Sequence, residues 1–214
     1  MKTGLVIISL LLQTTLYGQT IVDEPIRDSV LVHKLDTLRY DGDTLWATRF
    51  HNNGSFKCEG IYIDKKKDGY WMRNHPNGQP YYKAYFRKGQ VHGNGKLFYK
   101  NGQLAKEGNY SKGVLNGYFK TYDKKGTLIK SENYRNGKRH GRCEYFKEGK
   151  LEKSLSYENE ALDGIAKWYY RNGNVKSKIN YSKGVLDGAY TEFDKQGNSK
   201  RTTIYKNGKP VADS

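Results

Sequence analysis

Residues Tyr110–Gly117 read Tyr-Ser-Lys-Gly-Val-Leu-Asn-Gly, and Tyr181–Gly188 repeat them as Tyr-Ser-Lys-Gly-Val-Leu-Asp-Gly. The two copies are 71 residues apart, which is three periods of about 24 residues less one. A fixed period of this length predicts a repeat architecture, in which each unit packs on its neighbours. The aromatic that opens the stretch recurs as Tyr62, Phe86, Tyr110, Tyr134, Tyr157, Tyr181 and Tyr205.

Two ladders of glycines keep the same period. The first ladder is Gly69, Gly93, Gly117, Gly141, Gly164 and Gly188. The second ladder is Gly54, Gly78, Gly102, Gly126, Gly149, Gly173 and Gly197. The two glycine ladders and the aromatic ladder all lose one residue between Gly126 and Gly164. The three ladders therefore belong to one repeating unit.

The composition agrees with a repeat array. The chain has 214 residues, of which 36% are hydrophobic, and it carries a formal charge of +16. That hydrophobic share is low for one compact core of this length, but 19 tyrosines are more than a disordered chain would carry. An array removes the conflict, because each unit buries only a stripe against its neighbours.

The amino terminus has the order of a secretory signal peptide. Lys2 supplies the positive charge, Leu5–Leu12 is an apolar run, and cleavage is expected after Gly18. The run is too short to span a bilayer, and no cysteine follows closely to carry a lipid anchor. The sequence therefore predicts residues 1–18 as a signal peptide and an exported protein, periplasmic or extracellular and associated with the envelope. An uncleaved interfacial anchor is the alternative.

The remaining chain divides into three parts. Residues 19–44 do not fit the period and are interpreted as a linker and an N-terminal cap, with a strand within Val30–Tyr40. Residues 45–208 hold about seven units of 24 residues, and residues 209–214 form a tail.

Each unit reads as two strands around a hairpin turn. The turn contains the second-ladder glycine, usually as Asn-Gly, in which both residues tolerate positive φ. The second strand alternates: leucine and the ladder tyrosine share one parity, while lysine and other polar residues are common on the other parity. The first strand breaks alternation, which predicts a bulge.

The two glycines of Tyr-x-x-Gly-x-x-x-Gly are interpreted as turn points, with Lys65 and Glu160 as exceptions. The expected fold is all-β, with tandem hairpins in one elongated, twisted antiparallel sheet.

The two cysteines are not expected to form a disulfide. Cys58 and Cys143 lie several hairpins apart at different offsets in the repeat. At about 4.8 Å per strand their separation is well beyond bridging distance. They are interpreted as small apolar residues of the packed face.

One complete unit comprises Gly117–Tyr122, Lys125-Gly126, Leu128, Tyr134 and Asn136-Gly137. This pattern resembles the MORN repeat family, specifically its bacterial variant, over about three quarters of the chain. The resemblance implies successive hairpins in one sheet and a scaffold role or, in eukaryotes, attachment to acidic phospholipids. Several bacterial relatives are labelled antitoxin-like, so an antitoxin or immunity-like protein that masks a toxin is the alternative function.

The sequence indicates no catalytic residues, no cofactor and no metal ligands. The histidines fall mostly in predicted turns and have no repeating nucleophile or carboxylate beside them, so a non-enzymatic protein is expected. The charge is concentrated in residues 51–214, whose 33 basic and 16 acidic residues give +17. Such a surplus either solvates the sheet or attracts an acidic partner.

Five aromatic residues outside the tyrosine ladder were assigned to an exposed contact surface: Trp71, Tyr81, Tyr99, Trp168 and Tyr170. The expected function is an exported binding scaffold that contacts an acidic or protein partner at the cell envelope. A protein partner ranks first, an anionic glycan or lipid headgroup second, and nucleic acid last.

Overall fold

The computed structural model describes residues 36–211, which form eighteen β-strands of one antiparallel sheet and no helix. None of these residues therefore belongs to a helix that could cross a membrane. The strands are β1 (Thr37–Asp41), β2 (Thr44–Phe50), β3 (Phe56–Ile63), β4 (Lys66–Asn74), β5 (Pro80–Arg87), β6 (Gln90–Phe98), β7 (Leu104–Ser111), β8 (Val114–Tyr122), β9 (Leu128–Arg135), β10 (Lys138–Arg139), β11 (Gly141–Lys147), β12 (Lys150–Glu158), β13 (Ala161–Leu162), β14 (Gly164–Tyr169), β15 (Val175–Ser182), β16 (Val185–Phe193), β17 (Ser199–Lys206) and β18 (Lys209–Pro210).

From β1 to β9 each strand pairs with its neighbours in the chain, and the same order continues to β18, so the sheet is a continuous meander. In two hairpins the first strand is split, and β10 with β11, or β13 with β14, together take the place of one strand. The predicted all-β sheet of tandem hairpins is confirmed. The predicted signal peptide and residues 19–35 of the predicted linker lie outside the described residues. The observed strand β1 pairs with β2 at the start of the repeats.

At one edge of the sheet the chain reverses through two-residue turns in which both residues have positive φ, as in Lys112 (49°) and Gly113 (79°). We call these the tyrosine-edge turns, and their central residues are 64–65, 88–89, 112–113, 136–137, 159–160, 183–184 and 207–208. The exceptions Lys65 and Glu160 take the same turn, at φ 61° and 76°. Each turn also bonds the preceding hairpin: the Gly113 N–H donates to Val91 O at 2.9 Å, and Gly137 N–H to Leu115 O at 2.8 Å.

The opposite edge carries the Asn-Gly turns, which differ from the prediction. We call them the asparagine-edge turns, residues 51–55, 75–79, 99–103, 123–127, 147–150, 170–174 and 194–198. In the second of them Gly78 has a φ of 82°, whereas Asn77 is not at positive φ. Instead the Asn77 Oδ1 accepts the Gln79 N–H at 3.2 Å. The asparagine stabilises the turn through its side-chain hydrogen bonds, and only the glycine adopts the left-handed backbone conformation.

The one-residue deletion lies in a single asparagine-edge turn. Glu148 and Gly149 both have positive φ, at 52° and 74°, and Lys147 pairs directly with Lys150. A two-residue turn has replaced the longer turn of the other hairpins here. The strands on either side keep their register, because the loss is confined to the turn.

Bulges interrupt the first strand of each hairpin, as predicted. The register shifts between Arg73 and Asn74, for example, and again at the equivalent place in the other hairpins. A second interruption lies at the first-ladder glycine, as at Gly69 (φ 70°), where β3 and β4 lose register between Glu59 and Ile61. These glycines are therefore bulges inside a strand, and their interpretation as turn points was wrong.

One face of the sheet is packed, and it divides into two clusters. We call it the packed face. Both cysteines are free: Cys143 is fully buried and Cys58 packs against the first cluster. The first cluster is Leu45, Ala47, Tyr62, Trp71, Tyr82, Ala84 and Phe86, and the second is Cys143, Leu155, Tyr157 and Ala166.

Large and small side chains alternate between neighbouring strands on the packed face. The Trp71 ring lies directly over Gly60, where an added Cβ would come within 2.2 Å of it, and the Phe119 ring lies over Gly108 in the same way. In the second half the sizes are reversed, and Leu155 pairs with the small Cys143. A single sheet has no second layer to fill gaps, so each large side chain needs a small one beside it.

We expect Gly60→Ala to lower the free energy of unfolding by about 1–3 kcal/mol, because the new methyl group displaces the Trp71 ring. Gly60 is not at positive φ, so the cost is one of packing. Denaturant unfolding followed by Trp fluorescence measures it. In a Trp71→Leu background the penalty of Gly60→Ala should shrink, because the smaller side chain can move aside. Unchanged or raised stability of Gly60→Ala would show that the ring does not rest on this glycine.

Candidate functional site

The five aromatic residues predicted to form an exposed contact surface are buried or half-buried in the structure. Trp71 is only 3% exposed, and its Nε1 donates to Ile61 O at 2.9 Å. The expectation of exposure was wrong for this residue, because Gly60 leaves a space into which the ring packs. Trp168 is half-buried against the second cluster. Tyr81 is half-buried against the first, with its ring 4.9 Å from that of His75.

Tyr99 and Tyr170 connect neighbouring hairpins at the asparagine edge. The Tyr99 hydroxyl donates to Tyr122 O at 2.7 Å, and the Tyr170 hydroxyl to Phe193 O at 2.8 Å. His51 and His75 occupy the same position in earlier turns, and their Nε2 atoms lie 3.0 and 3.4 Å from carbonyls of the following hairpin. These turn histidines are half-buried connectors between hairpins, whereas the sequence favoured solvated loops.

The turn asparagines add a second connection. Asn101 Nδ2 donates to Lys124 O at 2.8 Å, and Asn53, Asn77 and Asn172 make the same contact in their turns. Asp123 and Asp194 instead bond their own turns: Asp123 Oδ1 accepts the Thr127 N–H at 2.9 Å. The backbone N–H of Thr127 lowers the pKa of the Asp123 carboxyl, and the side-chain amide and backbone N–H of Asn198 lower that of Asp194. The five aromatic residues thus lie in three separate hairpins and do not form one contact surface.

A row of basic side chains crosses the middle of the packed face. Register places Lys106 opposite Thr121, Thr121 opposite Lys130, and Lys130 opposite Tyr145. Tyr145 is opposite Lys153, which is opposite Trp168. We call these six residues the central row: Lys106, Thr121, Lys130, Tyr145, Lys153 and Trp168.

The lysines of the central row share the parity of the ladder tyrosines. Lys106 lies four residues before Tyr110 in one regular strand, and Lys130 and Lys153 precede Tyr134 and Tyr157 in the same way. The sequence placed lysine mainly on the other parity and so missed this row. The signal was available: a lysine recurs two residues after Leu104, Leu128 and Leu151.

Tyr145 is the centre of the row. The Nζ atoms of Lys130 and Lys153 lie 5.8 and 5.0 Å from its ring centroid, within the range of cation–π attraction. Its hydroxyl donates to Glu132 Oε1 at 3.2 Å, and Glu132 is a buried carboxylate on the same face. Burial and the Glu132 charge raise the pKa of the Tyr145 phenol above its usual value.

Lys106 and Lys130 repel each other across the row. Burial and the ammonium group of Lys130 lower the pKa of Lys106, and Glu132 opposes the shift. Within residues 36–211 none of the three lysines makes a hydrogen bond or an ion pair with a carboxylate. Nearby carboxylates have other partners, since Glu160 Oε2 lies 2.7 Å from Arg139 Nε.

The corresponding row on the opposite face has a different charge pattern. There Lys96 pairs with Glu107, with 3.9 Å between Nζ and Oε2, and Glu144 follows after Lys120 and Ser131. Carboxylates are interleaved with lysines in that row, as in an ordinary solvated sheet surface. The six residues of the central row include cations and no carboxylate, and the neighbouring Glu132 carboxylate accepts the Tyr145 hydroxyl, so this row is the better candidate for binding an anion.

Three segments of the chain, residues 67–88, 91–112 and 162–183, match the family described as MORN repeat variant. Each match runs from a first strand through an asparagine-edge turn to the next tyrosine-edge turn. This chain carries MORN-variant repeats. The resemblance read from the glycine and tyrosine ladders is confirmed, and MORN repeats are typical of binding and scaffold proteins. No curated protein matches the chain significantly.

We expect Tyr99→Phe to lower the free energy of unfolding by about 0.5–1.5 kcal/mol, because the Tyr122 carbonyl loses a donor. Tyr85→Phe is the control: Tyr85 is also half-buried and makes an edge-to-face contact with Tyr70, but its hydroxyl has no hydrogen-bond partner among the described residues. Urea unfolding of both variants measures the difference. Equal effects would mean that the Tyr99 hydroxyl does not connect the hairpins.

Proposed function

We propose that this MORN-variant protein is an exported, non-enzymatic scaffold that binds an acidic partner at the cell envelope. The observation that carries the proposal is the central row, where Lys106, Lys130 and Lys153 face outward from the sheet without carboxylate partners among the described residues. Export is supported by the order of residues 1–18.

The electrostatics favour binding over catalysis. Catalysis needs converging groups matched as acid and base, whereas the central row presents cations of one sign spread over several strands. Such a row raises the local concentration of an anionic partner and speeds its encounter, with a strong dependence on salt. Residues 36–211 contain no group of three His, Cys, Asp or Glu side chains that could hold a metal ion.

The experiment uses the full chain and a triple variant, Lys106→Gln, Lys130→Gln and Lys153→Gln. A matched control, Lys83→Gln, Lys120→Gln and Lys167→Gln, removes the same charge from the opposite face. Both are used to capture binding partners from bacterial envelope extract at low and high salt. We expect the first variant to lose the acidic partner that the wild type retains at low salt, and the control to retain it.

Thermal unfolding of both variants establishes that the sheet is intact. Equal capture by the two variants would place the binding surface elsewhere. Capture by the wild type that survives high salt would also contradict the proposal, because an electrostatic contact is screened.

Export has its own test. Expressed with its own amino terminus in a bacterial host, the protein is expected to begin at Gln19 after cleavage behind Gly18. Mass spectrometry of the mature protein measures the terminus, and a chain that keeps residues 1–18 in the cytoplasm would contradict export.

A further inference from the structure

The spacing of the central row restricts the shape of its ligand. Lys106, Lys130 and Lys153 lie on every second strand of the sheet, with β8 and β11 between them. At about 4.8 Å per strand their Cα atoms are about 10 Å apart, and the whole set spans about 19 Å. An ion pair requires about 4 Å between charged atoms, so an extended polyanion can pair with all three lysines without drawing their side chains together. A ligand that uses the row carries several negative charges along its length.

A lipid surface does not fit the packed face. Interfacial binding needs exposed apolar side chains beside the cations, so that they enter the headgroup region together. Most of the exposed apolar residues lie on the other face: Tyr70 is 82% exposed and neighbours the buried Trp71, and Ile165 neighbours the buried Ala166.

A single-stranded nucleic acid fits poorly too. Bases bind such proteins by stacking on open aromatic rings. The two ammonium groups of Lys130 and Lys153 already lie over the Tyr145 ring, and Trp168 packs against the second core cluster. Neither ring offers an open face for base stacking.

An acidic peptide lacks the backbone contacts it would use on a sheet. An extended peptide gains most from adding a strand to an open sheet edge. The central row crosses the middle of a face, where the backbone groups of β7, β8 and β9 are already paired on both sides. What remains is side-chain chemistry: ammonium groups at regular intervals, the hydroxyl of the half-buried Thr121, and the half-buried rings of Tyr145 and Trp168.

We infer that the central row binds a linear acidic polysaccharide that carries carboxylates along its chain and lies across β7–β14, perpendicular to the strands. The lysines pair with successive carboxylates, and Thr121 hydrogen-bonds sugar hydroxyls. The rings of Tyr145 and Trp168 contact the apolar faces of sugar rings. This inference rests on the proposed function and names the class of its acidic partner.

The test is calorimetric titration of the full mature chain with oligogalacturonates of increasing length at low salt. We expect affinity to rise with length until the oligomer reaches from Lys106 to Lys153, and then to level off. Lys130→Gln and Lys153→Gln should each weaken binding of the long oligomer by about tenfold, as the loss of one charge-assisted contact does. The opposite-face triple variant should bind within twofold of the wild type.

Neutral dextran, polyglutamate, single-stranded DNA and phosphatidylglycerol vesicles are the comparison ligands. Binding of polyglutamate, DNA or vesicles as tight as that of the long oligogalacturonate would overturn the inference, and so would indifference to Lys130→Gln and Lys153→Gln. If oligogalacturonate does not bind, but the central-row triple variant still loses its partner from envelope extract, the polysaccharide inference fails and the proposed function stands. If the variant also retains its partner, both fail.

Discussion

A sheet of one layer must hold each hairpin to the next without a second layer to press on it. In this protein hydrogen bonds at both edges do so. At the tyrosine edge the N–H of a turn residue, such as Gly89, donates to a carbonyl of the preceding hairpin, here Lys67 O at 2.8 Å. At the asparagine edge Asn77 and its equivalents donate forward to the next hairpin. Each bond adds about 1 kcal/mol at most, but their repetition fixes the distance between turns and therefore the period of the sequence.

This edge bonding fails at one place, and other irregularities gather there. Asp123 bonds within its own turn, and the next turn is the shortened one at Glu148 and Gly149. The first strands of the following hairpins are split, and the packed face divides into its two apolar clusters. The central row begins between these clusters, beside Glu132, and continues along the second one, against which Tyr145 and Trp168 pack. The repeat pattern is therefore least regular where the cations lie. Departures from a regular pattern are common at functional sites.

The fold was readable because glycine and tyrosine positions are set by backbone geometry, which recurs with the period. The asparagine-edge turns were assigned to the wrong type, because Asn-Gly suits two kinds of turn and only the neighbouring hairpin reveals the role of Asn77. Trp71 was expected to be exposed because it lies outside the tyrosine ladder. The glycine under its ring, Gly60, belongs to the preceding strand, and residue positions within one repeat unit do not show that the two residues are in contact. The lysine row was hidden for the same reason, since it exists only across strands.

Cations on the packed face need an explanation, because most of that face is apolar. Lys67 shows the ordinary solution: its Nζ donates to the Tyr82 hydroxyl at 3.0 Å and lies 4.7 Å from the Trp71 ring. Arg139 shows another, with Glu160 beside it and the Tyr157 ring 4.3 Å away. Lys130 and Lys153 have the aromatic contact but, within residues 36–211, no ion pair with a carboxylate, and burial together with the charge of Lys130 lowers the pKa of Lys106. Repulsion between the lysines lowers the stability of the sheet without a ligand. An anion bound there would remove this repulsion, and the free energy recovered would add to the affinity for the anion.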